Sequence, residues 1–157
     1  MPSEIKIRQA TANDLPEILN LFAETIQQIA KRDYNTAQIE VWASSVQNQT
    51  GWEKAINDQY FLVATLENII VGFGSLDESG YLDFLYVHKD YQREGIAKTI
   101  YQVLEEEAIR KGHTRITTDA SKTAKGFFIH QGFEVIKENL KLVKGVEITN
   151  YRMAKAL

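Results

Sequence analysis

The feature that most constrains this chain is an apolar strand pattern followed by a polar turn and a long amphipathic helix. The strand pattern spans Tyr81 to Val87, the turn contains Gln92 to Ala97, and the helical pattern runs on to Lys111. Such a turn brings unpaired backbone N–H groups and the positive end of the helix dipole to one place. Gly95 permits a close backbone approach there. The segment therefore predicts a binding site for an anionic group such as a phosphate.

Two familiar phosphate-binding motifs do not account for this site. The P-loop pattern G-x-x-x-x-G-K-[ST] has no match in the chain. Gly72-Phe73-Gly74 begins like a dinucleotide fingerprint, but Asp77 stands where the third glycine is needed.

Composition excludes several other kinds of chemistry. The 157 residues include no cysteine, which excludes disulfides, thiolate zinc sites and cysteine nucleophiles. The three histidines are spaced so that no metal site is expected. A net charge of −3 argues against a general nucleic-acid-binding protein. No apolar run reaches membrane-spanning length and no signal peptide is visible, so we expect a cytoplasmic protein without a membrane partner.

Hydrophobic periodicity predicts helices first and then a sheet interrupted by two helices. Three closely spaced strand patterns, at 60–64, 69–76 and 81–87, indicate an antiparallel meander. With no linker or repeat, residues 1–157 are expected to form a single α/β (α+β) domain. The other predicted elements are a strand at 5–8, helices at 15–30 and 36–46, a loop or short helix at 48–58, a strand at 115–118, a helix at 124–130, and strands at 133–142 and 146–153.

The turn resembles the cofactor-binding signature of the GNAT superfamily of acyl-CoA-dependent N-acyltransferases. That signature, Q/R-x-x-G-x-G/A, is matched by Gln92, Gly95 and Ala97. A second signature, roughly N-x-x-A-x-x-L-Y-x-K-x-G-F, is matched in part by Ala124 and by Gly132-Phe133. The order of predicted elements fits the family along nearly the whole chain.

The resemblance implies a mixed, mostly antiparallel sheet with splayed central strands, helices on both faces and acetyl-CoA bound in the wedge. Three groups of residues would hold the acetyl-CoA. They are the main chain of Leu85, Tyr86 and Val87, the turn and helix start formed by Gln92, Arg93, Glu94, Gly95, Ile96, Ala97 and Lys98, and the later side chains of Ser121, Lys125 and Phe128.

The function implied is transfer of an acetyl group from acetyl-CoA to a primary amine by direct attack in a ternary complex. The acceptor would be a small-molecule or peptide amine, and the two last strands could pair across a homodimer. A non-catalytic acyl-CoA-binding or sensing domain of the same fold is the alternative. A structural interaction module, which would bind no CoA, is the third.

Asp83 is the expected general base, because it interrupts an apolar strand. Strand alternation places it on the face of Tyr81 and Leu85. Apolar neighbours would raise the pKa of its carboxyl group by desolvation, which suits proton abstraction. Equally, Asp83 could only accept hydrogen bonds from a neighbouring loop, and a third possibility is that it binds the acceptor without proton transfer. The position most often used for the base in the family corresponds to Tyr81, which we assign to the acceptor site.

The general acid is where this sequence departs from the family. Phe128 stands at the position of a frequent tyrosine, and phenylalanine cannot donate a proton. His130 or Tyr151 could substitute. Releasing a thiolate with a pKa of about 8.5 costs only ~2 kcal/mol at pH 7, so a dedicated acid is helpful rather than essential.

The acceptor site is expected between the first two helices and the strand ends, a region rich in aromatic residues. Tyr34 lies between the two predicted helices and is assigned to the cleft. Trp42 shares the helical phase of Ile39 and Val46, which favours a place in the core over a place in the acceptor site.

Overall fold

A computed structural model describes residues 4–157, in which seven strands and five α-helices follow the predicted order. The helices are α1 (Leu15–Ile29), α2 (Thr36–Ala43), α3 (Gln49–Asp58), α4 (Ile96–Arg110) and α5 (Lys125–His130). The strands are β1 (Lys6–Gln9), β2 (Tyr60–Leu66), β3 (Ile69–Leu76), β4 (Tyr81–Val87), β5 (Arg115–Ser121), β6 (Glu134–Val143) and β7 (Val146–Ala156).

All seven strands belong to one sheet in the order β1-β2-β3-β4-β5-β7-β6. β2, β3 and β4 form the antiparallel meander that their spacing predicted. Among the strands of the described residues, only the central pair, β4 and β5, runs parallel, and the other neighbouring pairs are antiparallel. A parallel pair needs a crossover connection, and α4 supplies it. The fold class expected from the sequence is confirmed.

Two apolar clusters cover the two faces of the sheet. One packs the buried stripe of α4, which includes Ile100 and Leu104, against the sheet and Phe128 of α5. The other packs α1, α2 and α3 against the opposite face, with Ile18 and Phe73 fully buried. Alternation along β2 feeds both clusters, since consecutive strand residues point to opposite faces. The sheet is thus held between helices on both sides, and its central strands position the site.

The second helix ends earlier than the sequence predicted, and the next segment, expected to be a loop or a short helix, is a helix. α2 begins with a capping box in which Asn35 and Gln38 each bond the other's backbone, but it ends at Ala43 and continues as a 3₁₀ turn through Gln47. Residues 49–58 form a helix, because the side chain of Asn48 accepts a hydrogen bond from the Gly51 N–H and caps it.

β6 is an edge strand whose apolar side chains reach solvent, with Leu140 and Leu142 65% and 72% exposed. The pairing of late strands across a homodimer stays a prediction.

Across residues 4–157, every helix falls short of the length and apolarity that a bilayer crossing requires.

Candidate functional site

The turn between β4 and α4 holds two residues in the left-handed backbone region. Arg93 has φ 63° and Gly95 has φ 80°. The left-handed region costs a non-glycine residue roughly 1–2 kcal/mol, so the conformation of Arg93 must be imposed by its surroundings. Part of that constraint comes from Gln92, whose Nε2 donates hydrogen bonds to the carbonyl oxygens of Val87, at 2.6 Å, and His88, at 3.4 Å.

The first turn of α4 leaves backbone N–H groups available to a ligand. Gly95 is the N-cap residue and has no side chain that could accept from them. The helical bonding begins with the Thr99 N–H, which donates to the Gly95 carbonyl at 3.0 Å. The N–H groups of residues 96–98 therefore precede the helical ladder and point along the helix axis toward the turn. Together with the helix dipole, they make the anion site that the sequence predicted physically sound.

A gap opens between the two central strands beside this turn. The pairing of β4 with β5 covers Tyr81 and Leu82 and ends there. At one end of the gap, the Thr118 hydroxyl donates to the Leu82 carbonyl at 2.8 Å. At the other end, the Thr25 hydroxyl donates to the Val87 carbonyl at 3.1 Å. The carbonyl at each end is thus satisfied while the strands stay apart between them.

The alternation of hydrogen-bonded pairs between β3 and β4 determines which main-chain groups of β4 face the gap. The His88 N–H donates to the Val71 carbonyl, and the register continues through Tyr86 opposite Phe73. Hydrogen-bonded pairs alternate in an antiparallel ladder, so the main-chain groups of Tyr86 point to β3 and those of Leu85 and Val87 point into the gap. The expectation that the main chain of Tyr86 would pair with a ligand is therefore wrong, because β3 already uses those groups.

A cavity of ≈ 510 Å³, here called the turn cavity, lies along the gap. α1, β4, the turn and α5 supply its walls, and most of its lining is apolar. Eleven residues predicted to hold the cofactor line it: Leu85, Tyr86, Val87, Gln92, Arg93, Gly95, Ile96, Ala97, Lys98, Ser121 and Phe128. Their placement brings the predicted phosphate turn and the strand gap into one continuous space.

Two predicted cofactor residues lie outside the lining of the turn cavity. Glu94 is exposed and does not line it, as the anion site requires. Lys125 places its Nζ over the ring of Tyr151, 4.2 Å from the centroid. The side-chain role expected of Lys125 is thus not supported, since its ammonium is engaged with the β6–β7 hairpin.

A second cavity of ≈ 300 Å³, the middle cavity, adjoins the turn cavity. Leu85, Tyr86 and Phe128 line both, as do Ser121 and Ala124. Its remaining wall comes from β5 and from the β6–β7 hairpin, which lies beside α2. Ligands bound in the two cavities would therefore meet along this shared wall, to which β4 contributes Leu85 and Tyr86.

Asp83 lines the middle cavity at a β-bulge. The register between β3 and β4 shifts between Ser75 and Leu76, opposite Asp83. As a result, Leu82 and Leu85 both pack toward the α4 side while Phe84 packs toward α3, so the alternation assumed from the sequence is interrupted. The expected shared face of Asp83 and Leu85 does not follow from simple alternation.

The carboxylate of Asp83 has one hydrogen-bond partner within the described residues. Oδ2 accepts from Nε2 of Gln59 at 2.8 Å. Burial raises the pKa of the Asp83 carboxyl above its ordinary value, the Gln59 hydrogen bond acts against this, and the charge of Asp77 adds to the rise. A partly desolvated carboxylate with few partners is a competent proton acceptor.

A second carboxylate, Asp119 on β5, lies across the middle cavity and is fully engaged. Arg152 donates to it through Nε at 2.7 Å and through Nη2 at 3.0 Å, and Tyr81 and Asn139 add one bond each. Burial acts to raise the pKa of Asp119, but the bonds from Arg152 and Tyr81 outweigh it and hold the pKa below its usual value. The sequence reasoning missed this group.

Tyr81, assigned to the acceptor site, lines the middle cavity with its hydroxyl committed to Asp119 at 3.0 Å. Burial and the charge of Asp119 raise the pKa of Tyr81 well above its ordinary range, so the phenol stays protonated. Its contribution to the cavity is therefore a ring wall and a fixed hydroxyl.

Tyr34 and Trp42 form the α1–α2 side of the middle cavity. The Tyr34 hydroxyl donates to the Thr149 carbonyl at 2.7 Å and accepts from the Lys122 N–H at 2.9 Å. Trp42 packs edge-on to Tyr34 and against the apolar cluster of α1, α2 and α3, as its helical phase predicts, and it also lines both the turn and middle cavities. α2 ends soon after Trp42, which leaves the indole at the cavity edge.

The structure separates the two residues suggested as substitute acids. His130 lines the turn cavity at the end of α5. Tyr151 lines neither cavity and lies under the ammonium of Lys125. Phe128 is buried and packs on Phe133.

An open third cavity of ≈ 870 Å³, the outer cavity, continues from the middle cavity past Asp83 and Ser45, which line both. α3 and the β3–β4 turn form its walls.

Among residues 4–157, no group of three histidine, cysteine or acidic side chains is arranged to hold a metal ion.

Known proteins resemble the chain over nearly its full length. Residues 30–155 match the acetyltransferase (GNAT) domain family. The chain is 30% identical over 151 residues to the uncharacterized N-acetyltransferase YafP of Escherichia coli (strain K12), covering 96% of this chain and 95% of YafP.

Solved structures agree with this relationship. The GCN5-related N-acetyltransferase of Rhodopseudomonas palustris superposes with a TM-score of 0.95 at 31% identity, covering 100% of this chain and 98% of that one. The PaiA N-acetyltransferase of Thermoplasma acidophilum, solved with coenzyme A, gives 0.80 at 22% identity over 98% and 99% of the two chains. The yncA protein of Salmonella typhimurium, solved with acetyl-CoA, gives 0.70 at 18% over 99% and 95%.

Proposed function

The chain belongs to the GNAT family of acetyltransferases, and from that premise we propose that it transfers the acetyl group of acetyl-CoA to a primary amine. Both substrates would be bound at once, with the amine attacking the thioester directly. The observation that carries the proposal is the junction of the turn and middle cavities at Leu85, beside the gap between β4 and β5.

The residues of the turn cavity fit acetyl-CoA. The uncapped N–H groups at the start of α4 and the left-handed turn suit a pyrophosphate. The Val87 N–H, which faces the gap next to the turn, suits an amide carbonyl of the pantetheine arm, and this arm would then run along β4 as a short added strand does. The CoA-bound relatives named above support the same choice of ligand.

The acetyl carbonyl would lie near the Leu85 N–H, because the pantetheine arm leads from the turn past Val87 and Leu85 lines both the turn and middle cavities. The Leu85 N–H points into the gap, and it would donate a hydrogen bond to the oxyanion that develops as the amine attacks. The carbonyl oxygen of Val87, two residues further along β4, is already held by Thr25 and Gln92. The strand segment is therefore fixed from both sides, which is what preorganised oxyanion stabilisation requires.

Asp83 would act as the general base. It lines the middle cavity with Leu85, and its raised pKa brings its basicity closer to that of the ammonium it must deprotonate. The ammonium first loses one proton to Asp83, directly or through one water molecule, and the neutral amine then attacks the thioester carbonyl. As the C–N bond forms and the C–S bond breaks, the nitrogen loses a second proton to solvent and the departing thiolate takes one proton from solvent. The hydroxyl of Tyr81 cannot serve as the base, because its pKa is raised and Asp119 holds its proton.

Release of the thiolate needs little help. For a thiol with a pKa of about 8.5, a bare thiolate at pH 7 costs only ~2 kcal/mol. Phe128 in place of the family's frequent tyrosine is therefore compatible with turnover. It also supports the alternative of an acyl-CoA sensor that keeps the fold without catalysis.

Two measurements on the same protein distinguish a transferase from an acyl-CoA sensor. Acetyl-CoA binding is followed by calorimetry, and CoA release is followed with a panel of amines, amino acids and peptides. The transferase proposal predicts binding together with amine-dependent CoA release. Binding with no release for any acceptor would favour the sensor, and an absence of binding would contradict both.

A further inference from the structure

The outer cavity concentrates negative charge next to the acceptor site. Asp58, Asp77, Glu78 and Asp83 line it, against the single ammonium of Lys54. Within the described residues, none of the four carboxylates forms a salt bridge. Carboxylates gathered in a concave surface focus a negative potential that raises the local concentration of cations.

Two stacked aromatic rings contribute to the lining of the outer cavity. Phe84, which is partly buried, stacks on the buried Trp52 with ring centroids 4.5 Å apart and an interplanar angle of 19°. Both residues line the cavity together with Asp58 of α3 and with Asp77 and Glu78 of the β3–β4 turn. An aromatic lining favours alkyl chains and cations, and disfavours anions.

The outer cavity is connected to the place where the acetyl group would be transferred. Asp83 and Ser45 line both the outer and the middle cavity, and the middle cavity meets the turn cavity at Leu85. An acceptor with its reacting nitrogen near Leu85 would therefore extend past Asp83 into the acidic space.

We propose that the acceptor is a linear alkyl amine that carries a second cationic nitrogen. This inference rests on the proposed function and names its substrate class. One amine loses its proton to Asp83 and attacks the thioester, while the distal ammonium stays in the outer cavity near Asp58 and Glu78. The methylene chain between the two nitrogens lies over Phe84.

The test compares 1,6-diaminohexane with n-hexylamine, which has the same chain and lacks the distal charge. CoA release at low ionic strength should give a kcat/KM at least about tenfold higher for the diamine, since one well-placed charge in a focused field contributes of order this much. The preference should shrink toward parity at about 0.5 M salt, where exposed charges are screened.

A double variant, Asp58→Asn with Glu78→Gln, tests the residues. It should lower the diamine-to-monoamine ratio by about fivefold, in line with two partly exposed charge interactions. Glu53→Gln is the matched control, because Glu53 is an exposed acid of the same helix, α3, that does not line the outer cavity. The control should leave the ratio unchanged.

Several outcomes would overturn this inference while the transferase stands. These are equal kcat/KM for the two amines, a ratio that falls equally in the control, and a clear preference for a peptide N-terminus over the diamine. Acetyl-CoA binding without CoA release for any amine would instead remove the transferase and this inference with it. Unmodified protein supplies the salt dependence, so the test does not depend on the variants folding.

Discussion

Two carboxylates face the middle cavity from neighbouring strands, and their surroundings differ sharply. Asp119 on β5 accepts hydrogen bonds from Arg152, Tyr81 and Asn139, and its pKa is lowered. Within residues 4–157, Asp83 on β4 accepts one bond, from Gln59, and its pKa is raised. Both are partly withdrawn from water, so burial alone does not separate them. The two carboxylates differ in the number of hydrogen-bond donors around them.

This difference suits the two carboxylates to different roles. A carboxylate surrounded by donors is stable as an anion and holds neighbouring strands together, but it is a poor proton acceptor. A carboxylate with one donor and a desolvated face gains from taking a proton. Asp119 thus fixes the cavity wall through β7 and β6, whereas the surroundings of Asp83 suit the general-base role proposed for it.

Replacing Asp83 with asparagine should give the largest effect. The substitution keeps the shape and can keep the contact with Gln59, yet it removes the proton acceptor, so kcat/KM for an amine should fall by about 10²–10⁴-fold. CoA-release kinetics measure the fall, and calorimetry should show that acetyl-CoA still binds normally. Near-normal turnover would mean that Asp83 is only an acceptor of hydrogen bonds.

Replacing Asp119 with alanine should act on stability instead. It leaves Arg152, Tyr81 and Asn139 without their shared acceptor, which should lower the free energy of unfolding by about 2 kcal/mol. The figure is modest because the Arg152 side chain is 39% exposed and can be rehydrated. Urea denaturation measures it. A loss of activity in a variant of unchanged stability would show that Asp119 takes part in catalysis.

Gln59→Met sharpens the comparison by removing the last donor from Asp83. The Gln59 hydrogen bond lowers the pKa of Asp83, so its loss should move the acidic limb of the kcat/KM profile to higher pH. At the alkaline plateau, where Asp83 is ionised in both proteins, kcat/KM should stay within about threefold. An unmoved limb would show that another group titrates there.

The smallest expected effect is the pH dependence of stability, and it has opposite signs for the two groups. The lowered pKa of Asp119 makes its contribution present above the unfolded value of about 3.9 and lost as pH falls through the folded pKa. The raised pKa of Asp83 makes its contribution present at low pH and lost as pH rises through the folded pKa. Urea titrations from pH 3 to 7 should show the deficit of Asp119→Ala growing with pH. Asp83→Asn should gain on the unmodified protein over the same range.

Local signals in the sequence predicted the parts of the site that are built locally. The turn at Gln92 to Ala97 was found because a strand, a glycine and an amphipathic helix follow one another directly. The meander was found for a similar reason, since its strand patterns are separated by short turns. The positions of Leu85 and Val87 beside the turn also followed from neighbouring sequence.

Contacts between distant segments were not predictable in this way. Asp119 and Arg152 are 33 residues apart and meet only because β5 pairs with β7. The bulge opposite Asp83 arises from the register of β3 against β4, and the sequence of β4 alone does not predict its position. Trp42 packs against the core as its helical phase predicts, but its place beside both cavities depends on contacts with distant strands.

The Tyr34 hydroxyl joins parts of the chain that are made at very different times. Its partners, Thr149 and Lys122, lie 115 and 88 residues further along. The turn at Gln92 to Ala97 is complete in sequence once α4 has emerged from the ribosome, whereas the wall of the middle cavity waits for β7. Contacts of long sequence separation form late in folding, so the acceptor side should be the last part to acquire protection in pulsed hydrogen exchange. Early protection of the Lys122 N–H would contradict that order. During synthesis, the proposed acyl-donor site should therefore form before the wall of the proposed acceptor site is complete.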